Sequence, residues 1–372
     1  MNKFLSEIKS QPQALRDTFN YILDEGKTQF LIIKDFIKKG GITKLIFTGM
    51  GSSYISCYLP YYILNEYGIA VEMREAGEFL FNTFPKTKQN CFVDTGIILI
   101  SQSGESGEIR ELLRKINSIP LEDKPLTIGI TNNPESYLAS MTELQILMNF
   151  DEEISVTSKS YVCTLLILYV MAKTIIEQFF MDESESDKIE YLITELEHLF
   201  TDDKEINRIW EKILNNFGYE FGFLEILARG ASLTTAHQAA LNFKEITKKY
   251  SEANSISSFR HGGIECLNND IHLLILTSDS KNLKLNANFM DNLLNTWSCG
   301  KVLHLTNQIF DDEMEILQKN PKMIVYRHKI IDPFLAPIME IAILQLLFYK
   351  IAEKQGLEPG VFQFSKKVTE DI

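Results

Sequence analysis

The sequence predicts an α/β protein made of two similar parallel-sheet domains in tandem. Three observations carry that prediction. Short apolar, β-favouring runs alternate with helical patterns through most of the chain, as strands joined by crossover helices do. Two of those strands run into small-residue turns, Gly49-Met50-Gly51-Ser52-Ser53 and Ser101-Gln102-Ser103-Gly104-Glu105-Ser106, each followed by a helix. The same succession then returns. The interval from turn glycine to hydroxyl loop is 50 residues in the first half (Gly51 to Ser101) and 47 in the second (Gly230 to Thr277).

Bulk properties agree with this class. A chain of 372 residues has room for two ordinary domains, and 45% hydrophobic with 23% charged residues is the range of soluble globular proteins. A net charge of −13 argues against a general nucleic-acid binder, which needs a basic face, but leaves room for one small anionic ligand. Five scattered cysteines without a CxxC read as reduced thiols of a cytoplasmic protein. Six histidines without an HxxxH or HExxH pair give no metal site. Met1 leads into a mixed polar helix instead of an apolar signal core. The apolar stretch Leu335 to Tyr349 carries Glu340 and Gln345, so it reads as a buried helix and no membrane partner is expected.

Taken in order, residues 1–40 form a helical segment that Gly40-Gly41 stops. A first α/β domain is expected over 41–182. Its first strand, Lys44 to Thr48, enters the Gly49 turn, where Tyr54 stands in place of the third glycine of a dinucleotide fingerprint, which disfavours that ligand. A second strand runs from Ala70 to Arg74. The third, from Ile97, ends in the serine loop and a helix bearing Ile109, Leu112, Leu113 and Ile116. A helix N-terminus offers unpaired N–H groups and partial positive charge, so the serine loop is a candidate anion site, although serine also caps helices with no ligand. Strands at Leu126–Ile130 and Leu144–Met148 follow. Ser155-Val156-Thr157-Ser158-Lys159-Ser160 opens a long apolar helix to about Phe180. In such a sheet ligands sit at the carboxyl ends of the strands, where the Gly51 turn and the Ser101 loop both fall.

An acidic linker helix is expected over 183–215, then a second domain over 216–354 and a tail over 355–372. The second domain opens with the strand Phe223–Ala228, the turn Arg229-Gly230-Ala231-Ser232 and a helix to Lys248. Later, Leu273-Leu-Ile-Leu-Thr277-Ser278-Asp279-Ser280 mirrors the strand and serine loop. Asp279 inside that second loop would repel a phosphate, so one competent anion site per chain is expected, in the first half.

At these residues the chain resembles the double sugar-isomerase (SIS) domain family, which includes the isomerase half of glutamine–fructose-6-phosphate aminotransferase, the fructosamine-6-phosphate deglycases and the amino-sugar-phosphate deaminases. The resemblance begins at Glu7-Ile8 and Gln11-Pro12. It passes through GSSY at 51–54, SQSGES at 101–106, SKSY at 158–161, ALNFKEI at 240–246 and FRHGG at 259–263, and ends in SKKVT at 365–369. It implies two tandem SIS domains, each a flavodoxin-like parallel-sheet sandwich, flanked by an N-terminal helix and a C-terminal tail. It implies that Ser101, Gln102, Ser103 and Ser106, with Ser52 and Ser53, hold a sugar phosphate, and that Thr157 and Ser158 contact the sugar chain. Glu245 falls on the residue that moves a proton between C1 and C2. His261 falls on a histidine that opens the sugar ring and reaches in from a partner subunit, so a homodimer is implied. Lys366 falls on the lysine that forms a Schiff base with the open-chain keto sugar. Glu152 lies near an acidic position before the ligand loop, in a register uncertain by one residue. No cofactor or metal is implied.

Those roles suit the residue types. A carboxylate on a helix can serve both carbons of an aldose–ketose pair, an amine activates a ketone as an iminium, and a histidine carries protons near neutrality. Singly, each has an ordinary reading: Glu245 as a solvated helix carboxylate, His261 as a turn histidine, Lys366 as part of a solvated tail. The chain also departs from the aminotransferase pattern. Gln238 and Asn242 stand where that enzyme has a glutamate and a lysine, and Asn2 stands where its glutamine-hydrolysing domain has a cysteine, so amino-sugar synthesis from glutamine is not expected. The expected function is a phosphosugar isomerase/deaminase-type enzyme acting on a 6-phosphorylated ketosamine or amino sugar. The alternatives are a non-catalytic sugar-phosphate-binding regulator and an ammonia-dependent glucosamine-6-phosphate-forming enzyme.

Overall fold

The computed structural model describes residues 2–39, 41–86, 91–176, 180–201, 203–308, 312–364 and 366–369. The chain divides into two compact units. One comprises Ser10–Asp187 with Phe362–Ile372, the other Met1–Lys9 with Lys188–Val361. The tail that carries Lys366 therefore belongs with the first sheet.

The first sheet contains β1 (Lys44–Gly49), β2 (Ala70–Glu75), β3 (Thr95–Ile100), β4 (Leu126–Thr131) and β5 (Leu144–Leu147). They are all parallel, in the order β2-β1-β3-β4-β5. β3 is buried along its whole length and β1 from Leu45 onward, as strands covered by helices on both faces must be. The helix Gly107–Asn117 after β3 buries Ile109, Leu112, Leu113 and Ile116 in one cluster with Ile46, Ile97 and Leu99 of the sheet. Each such side chain stabilises the unit by about 1.5–3 kcal/mol. The helix Lys159–Ile176 is long and apolar enough to cross a membrane, but it is 89% buried as the core helix of this unit. Residues 1–40 hold three helices instead of one run: Lys3–Lys9, Gln11–Leu23 and Lys27–Lys39.

The second sheet contains β6 (Phe223–Ala228), β7 (Ser251–Ser255), β8 (Ile271–Thr277), β9 (Val302–Thr306) and β10 (Met323–Arg327). Its order, β10-β9-β8-β6-β7, read from the β7 end is the order of the first sheet with each strand advanced by five, and it too is parallel throughout. The internal repeat is therefore a repeat of topology. Two helices, Glu183–Thr201 and Asp203–Phe217, stand where a single linker helix is expected. The unit closes with the buried helix Ala336–Lys354, which packs on the helix Ser232–Thr247.

In both sheets the strand order reverses direction beside the first strand, so the carboxyl ends of β1 and β3, and of β6 and β8, frame a switch-point crevice.

Candidate functional site

In the first unit, Gly49 and Ile100 are register partners at the ends of β1 and β3, so the two small-residue turns leave the sheet side by side. A side chain at Gly49 would come within 2.9 Å of Ser53, which is why this turn can fold back so closely. Ser52 and Ser53 begin the helix Gly51–Ser56 and are half-buried.

The serine loop is wound by its own hydroxyls. Ser101 is buried; its Oγ accepts from the Gly104 N–H at 3.1 Å, while its own N–H donates to the Ile130 carbonyl at 3.0 Å. Ser103 Oγ accepts from the Glu105 N–H at 3.2 Å. The Gln102 carbonyl accepts from Asn132 N–H at 2.9 Å and Thr131 Oγ1 at 3.2 Å, which ties the loop to the end of β4. Gly104 has φ +70°, and a Cβ there would fall 2.1 Å from Ser136 Oγ, so only glycine fits. Ser106 caps the following helix without a side-chain bond to its backbone; its Oγ donates to Glu108 at 3.1 Å. Gln102, Ser103 and Ser106 are half-buried at the mouth of the crevice.

Beyond β5 stand two glutamates in different settings, Glu152 and Glu153. Glu152 is exposed, and its backbone carbonyl accepts from the buried Lys159 ammonium at 3.0 Å. Glu153 is fully buried and caps the long helix. Its carboxylate accepts from the Ser158 N–H (2.9 Å) and hydroxyl (3.0 Å), and from the Ser160 N–H (3.1 Å) and hydroxyl (2.6 Å). Lys367 completes the set at 2.6 Å. Burial pushes the Glu153 carboxyl up, but the Lys367 charge and hydrogen bond, with the serine donors, outweigh it and hold the group below the usual carboxylate range. Lys367 also donates to the Ser155 carbonyl at 2.8 Å and lies 3.4 Å from Thr157 Oγ1. Two residues on, the Thr369 carbonyl accepts from the Gly107 N–H at 3.3 Å, at the first turn of the serine-loop helix. The tail thus bridges the two loops that the sequence assigns to phosphate and sugar. Lys366, between Ser365 and this anchor, is exposed and has no partner among the described residues.

Glu245 and His261 lie in the other unit. Glu245 is half-buried near the end of the helix Ser232–Thr247, where Asn242 Nδ2 reaches its carboxylate at 3.4 Å. Asn242 is itself fully buried, and its carbonyl oxygen accepts from Gln345 at 3.1 Å. The Asn242 amide is thereby locked in a chain running Gln345, Asn242, Glu245. His261 is exposed on the turn after the short helix Ile256–Phe259, with its N–H on the Ser258 carbonyl at 2.9 Å.

The second switch point is filled from within. Glu340, on the last helix and 0% exposed, accepts from Ser232 (2.9 Å), Thr235 (2.7 Å) and Ser278 (2.5 Å). These hydroxyls come from the start of the helix after β6 and from the end of β8. Burial raises the Glu340 pKa against the pull of the three hydroxyls. Asp279 accepts from the Lys281 N–H at 2.9 Å through Oδ1, capping the 3-10 turn Ser280–Asn282, while its Oδ2 would lie 3.5 Å from a Cβ on Gly230, against the first turn of this switch point.

Sequence reasoning missed Lys367, Glu153 and Glu340. Paired lysines in a non-helical tail carry a usable signal, since successive side chains there turn to different sides and one of the two faces inward. Glu340 and Gln345 stand out as charged and amide residues inside an apolar helix.

The SIS domain family model matches residues 41–174, the first sheet with the helix that follows it. Residues 41–174 are a SIS domain. The whole chain is 26% identical over 368 residues to the glutamine–fructose-6-phosphate aminotransferase [isomerizing] of Wigglesworthia glossinidia brevipalpis, covering 95% of this chain and 55% of the relative. It therefore spans about half the length of the curated relatives it matches. Its fold is that of the C-terminal domain of glucosamine-fructose-6-phosphate aminotransferase from Francisella tularensis (TM-score 0.78, 20% identity, 98% of each chain covered). Glucosamine-6-phosphate deaminase from Thermotoga maritima is also similar (TM-score 0.68, 20% identity, covering 98% of this chain and 99% of that one). The two structures share the fold of this chain.

Proposed function

We propose that the chain is a phosphosugar enzyme of the isomerase/deaminase type, acting on a 6-phosphorylated ketosamine or amino sugar. Ser101, Gln102, Ser103 and Ser106, with Ser52 and Ser53, hold the phosphate at the first switch point. Thr157 contacts the sugar chain, with Ser158 beside it bonded to Glu153. In an open-chain amino-sugar phosphate the Glu245 carboxylate takes the proton from C2 and returns it to C1, which turns the C2 amine into an iminium. The Lys366 amine adds to C2 and ammonia departs, leaving the Lys366 iminium; water then adds to C2, the C–N bond to the lysine breaks, and the keto sugar is released with the amine regenerated. His261 carries protons during ring opening, serving a neighbouring subunit's site in a homodimer.

The observation that supports this reading best is the tail: Thr369 bonds Gly107, Lys367 bonds Glu153, and the exposed Lys366 lies next to that anchor. The names of its relatives, an aminotransferase and a deaminase of phosphorylated hexoses, favour the same substrate class. The test is a panel of phosphorylated ketosamines and amino sugars assayed for ammonia and sugar phosphate. Lys366→Ala is expected to abolish turnover while keeping sugar-phosphate binding. Full activity in that variant refutes the imine route, and tight binding with no product in the wild type makes the chain a sugar-phosphate sensor.

A further inference from the structure

We infer that Lys367 is a positioning residue that sets the neighbouring Lys366 amine at the serine loop. The inference rests on the reading of Lys366 as the imine-forming group and adds to it the device that holds it in place.

The two lysines are adjacent and differ in every physical respect. Lys367 has its ammonium against three oxygens: Glu153 Oε2 at 2.6 Å, the Ser155 carbonyl at 2.8 Å and Thr157 Oγ1 at 3.4 Å. An ammonium has three N–H groups and no other means of bonding. With three acceptors around it, one of them a carboxylate, the Lys367 amine is held in hydrogen bonds on all sides and turned away from any carbonyl at the serine loop. Its side chain is 18% exposed and that of Glu153 0%. Glu153 in turn is not a casual partner. Four serine donors at the start of the helix Lys159–Ile176 orient it, so the anchor is attached to the core helix of the unit.

Lys366 is exposed and has none of this. Its backbone is held one residue away by Lys367 and three residues away by the bond from Gly107 N–H to the Thr369 carbonyl. An amine on four flexible carbons is useful to a carbonyl only if its backbone is placed. Losing about 1 Å of placement costs on the order of a hundredfold in rate. The pair therefore divides the labour: one lysine is bonded in to hold the tail, the other projects to react.

Borohydride trapping with fructose 6-phosphate as probe tests this. In the wild type the reduced adduct is expected on Lys366. Lys367→Met is expected to slow trapping about 10–100-fold, with the dissociation constant of inorganic phosphate changed less than about threefold. Lys367→Arg, which keeps a cation for Glu153, is expected to restore trapping to within about fivefold. Should Lys367→Met not fold, Lys367→Gln, which keeps one donor for Glu153, takes its place. Trapping at the wild-type rate in Lys367→Met overturns the inference. So does a parallel loss of phosphate binding, which is the mark of a merely structural residue. An adduct that forms on Lys367 overturns both the inference and the role of Lys366. If the wild type gives no adduct, the reading of Lys366 fails by itself, and amide exchange decides the anchor: Lys367→Met is expected to speed exchange of the Gly107 N–H at least about tenfold, and an unchanged rate overturns it.

Discussion

Replacing Glu340 probes the second switch point. Its carboxyl is fully buried and takes hydrogen bonds from Ser232, Thr235 and Ser278 at 2.5–2.9 Å. Glu340→Ala strands three buried hydroxyls and leaves a hole where the side chain stood. Three hydrogen bonds at about 1 kcal/mol each, with a modest cavity, give a loss of about 3–5 kcal/mol. Glu340→Gln keeps the volume and one acceptor and costs about 1 kcal/mol at pH 5. The two variants separate further with pH. Burial raises the folded pKa of Glu340, so above the ordinary carboxylate value near ~4.3 the folded state holds a proton that the unfolded state has released. Stability contributed by Glu340 is then complete at low pH and is lost as pH rises toward the folded pKa. Glutamine does not titrate, so the deficit of Glu340→Gln shrinks as pH rises, by about 1.4 kcal/mol for each tenfold change in the ionisation constant. The assay is urea unfolding at pH 5 and pH 8, read by tryptophan fluorescence. Both tryptophans, Trp210 and Trp297, lie in the unit of the second sheet, so the signal reports that unit alone. Equal losses in the two variants, or a Glu340→Gln deficit that grows with pH, would refute the reasoning.

Three further outcomes rest on the same physics. Gly104→Ala forces a Cβ to within 2.1 Å of Ser136 Oγ at φ +70°; it is expected to lower stability by about 2–4 kcal/mol and to weaken inorganic phosphate binding at least about tenfold, and unchanged calorimetric binding would reject the loop as the anion site. Glu225, buried on β6 directly across from Glu252 and bonded by Asn254, has its pKa pushed up to about 7, chiefly by burial. Wild-type stability is lost as pH rises from about 4.5 through 7, so Glu225→Gln should gain about 1–2 kcal/mol relative to wild type between pH 5 and pH 8 in urea unfolding, and no gain contradicts the assignment. Burial, with a small push from Arg327, lowers the His304 pKa to about 3, where its ring meets Thr277 Oγ1 at 2.6 Å. Its stabilisation is present above about 6.5 and lost as pH falls toward 3, so the advantage of wild type over His304→Asn should shrink on acidification, and a constant advantage counts against a neutral buried ring.

How much the sequence discloses depends on the demands that neighbours place on each residue. The strands ending at Ile100 and Ala228 and the serine loop are legible because apolar runs buried on both faces, with small hydroxyl residues after them, leave little alternative. The strand Ser251–Ser255 is not: Ser-Glu-Ala-Asn-Ser offers one apolar residue, and it forms because the edge of β6 supplies its hydrogen bonds. The division of residues 2–39 into three helices is hidden for a related reason, since apolar residues recur at helical spacing on both sides of the break after Lys9. At the site, Ser101 to Ser106 carry their own local signal. Glu153 and Lys367, 214 positions apart, are each ordinary in sequence and acquire meaning only when the tail returns to the first unit.

The two sheets share one topology and end in opposite states, and the difference lies in the helix that comes after the fifth strand of each. Each switch point brings small hydroxyl residues together at strand ends, and buried hydroxyls must be satisfied. In the second unit the helix Ala336–Lys354 delivers a carboxylate, and Ser232, Thr235 and Ser278 close on it. In the first unit the corresponding helix opens with Ser158-Lys159-Ser160, and its hydroxyls turn toward Glu153, which lies outside the helix and needs a cation of its own. That cation comes from the tail. Glu340 is thus buried among the hydroxyls of the second unit, whereas Gln102, Ser103 and Ser106 of the first stay half-buried. The asymmetry stems from a single placement, an acid inside the final helix in one copy and ahead of it in the other.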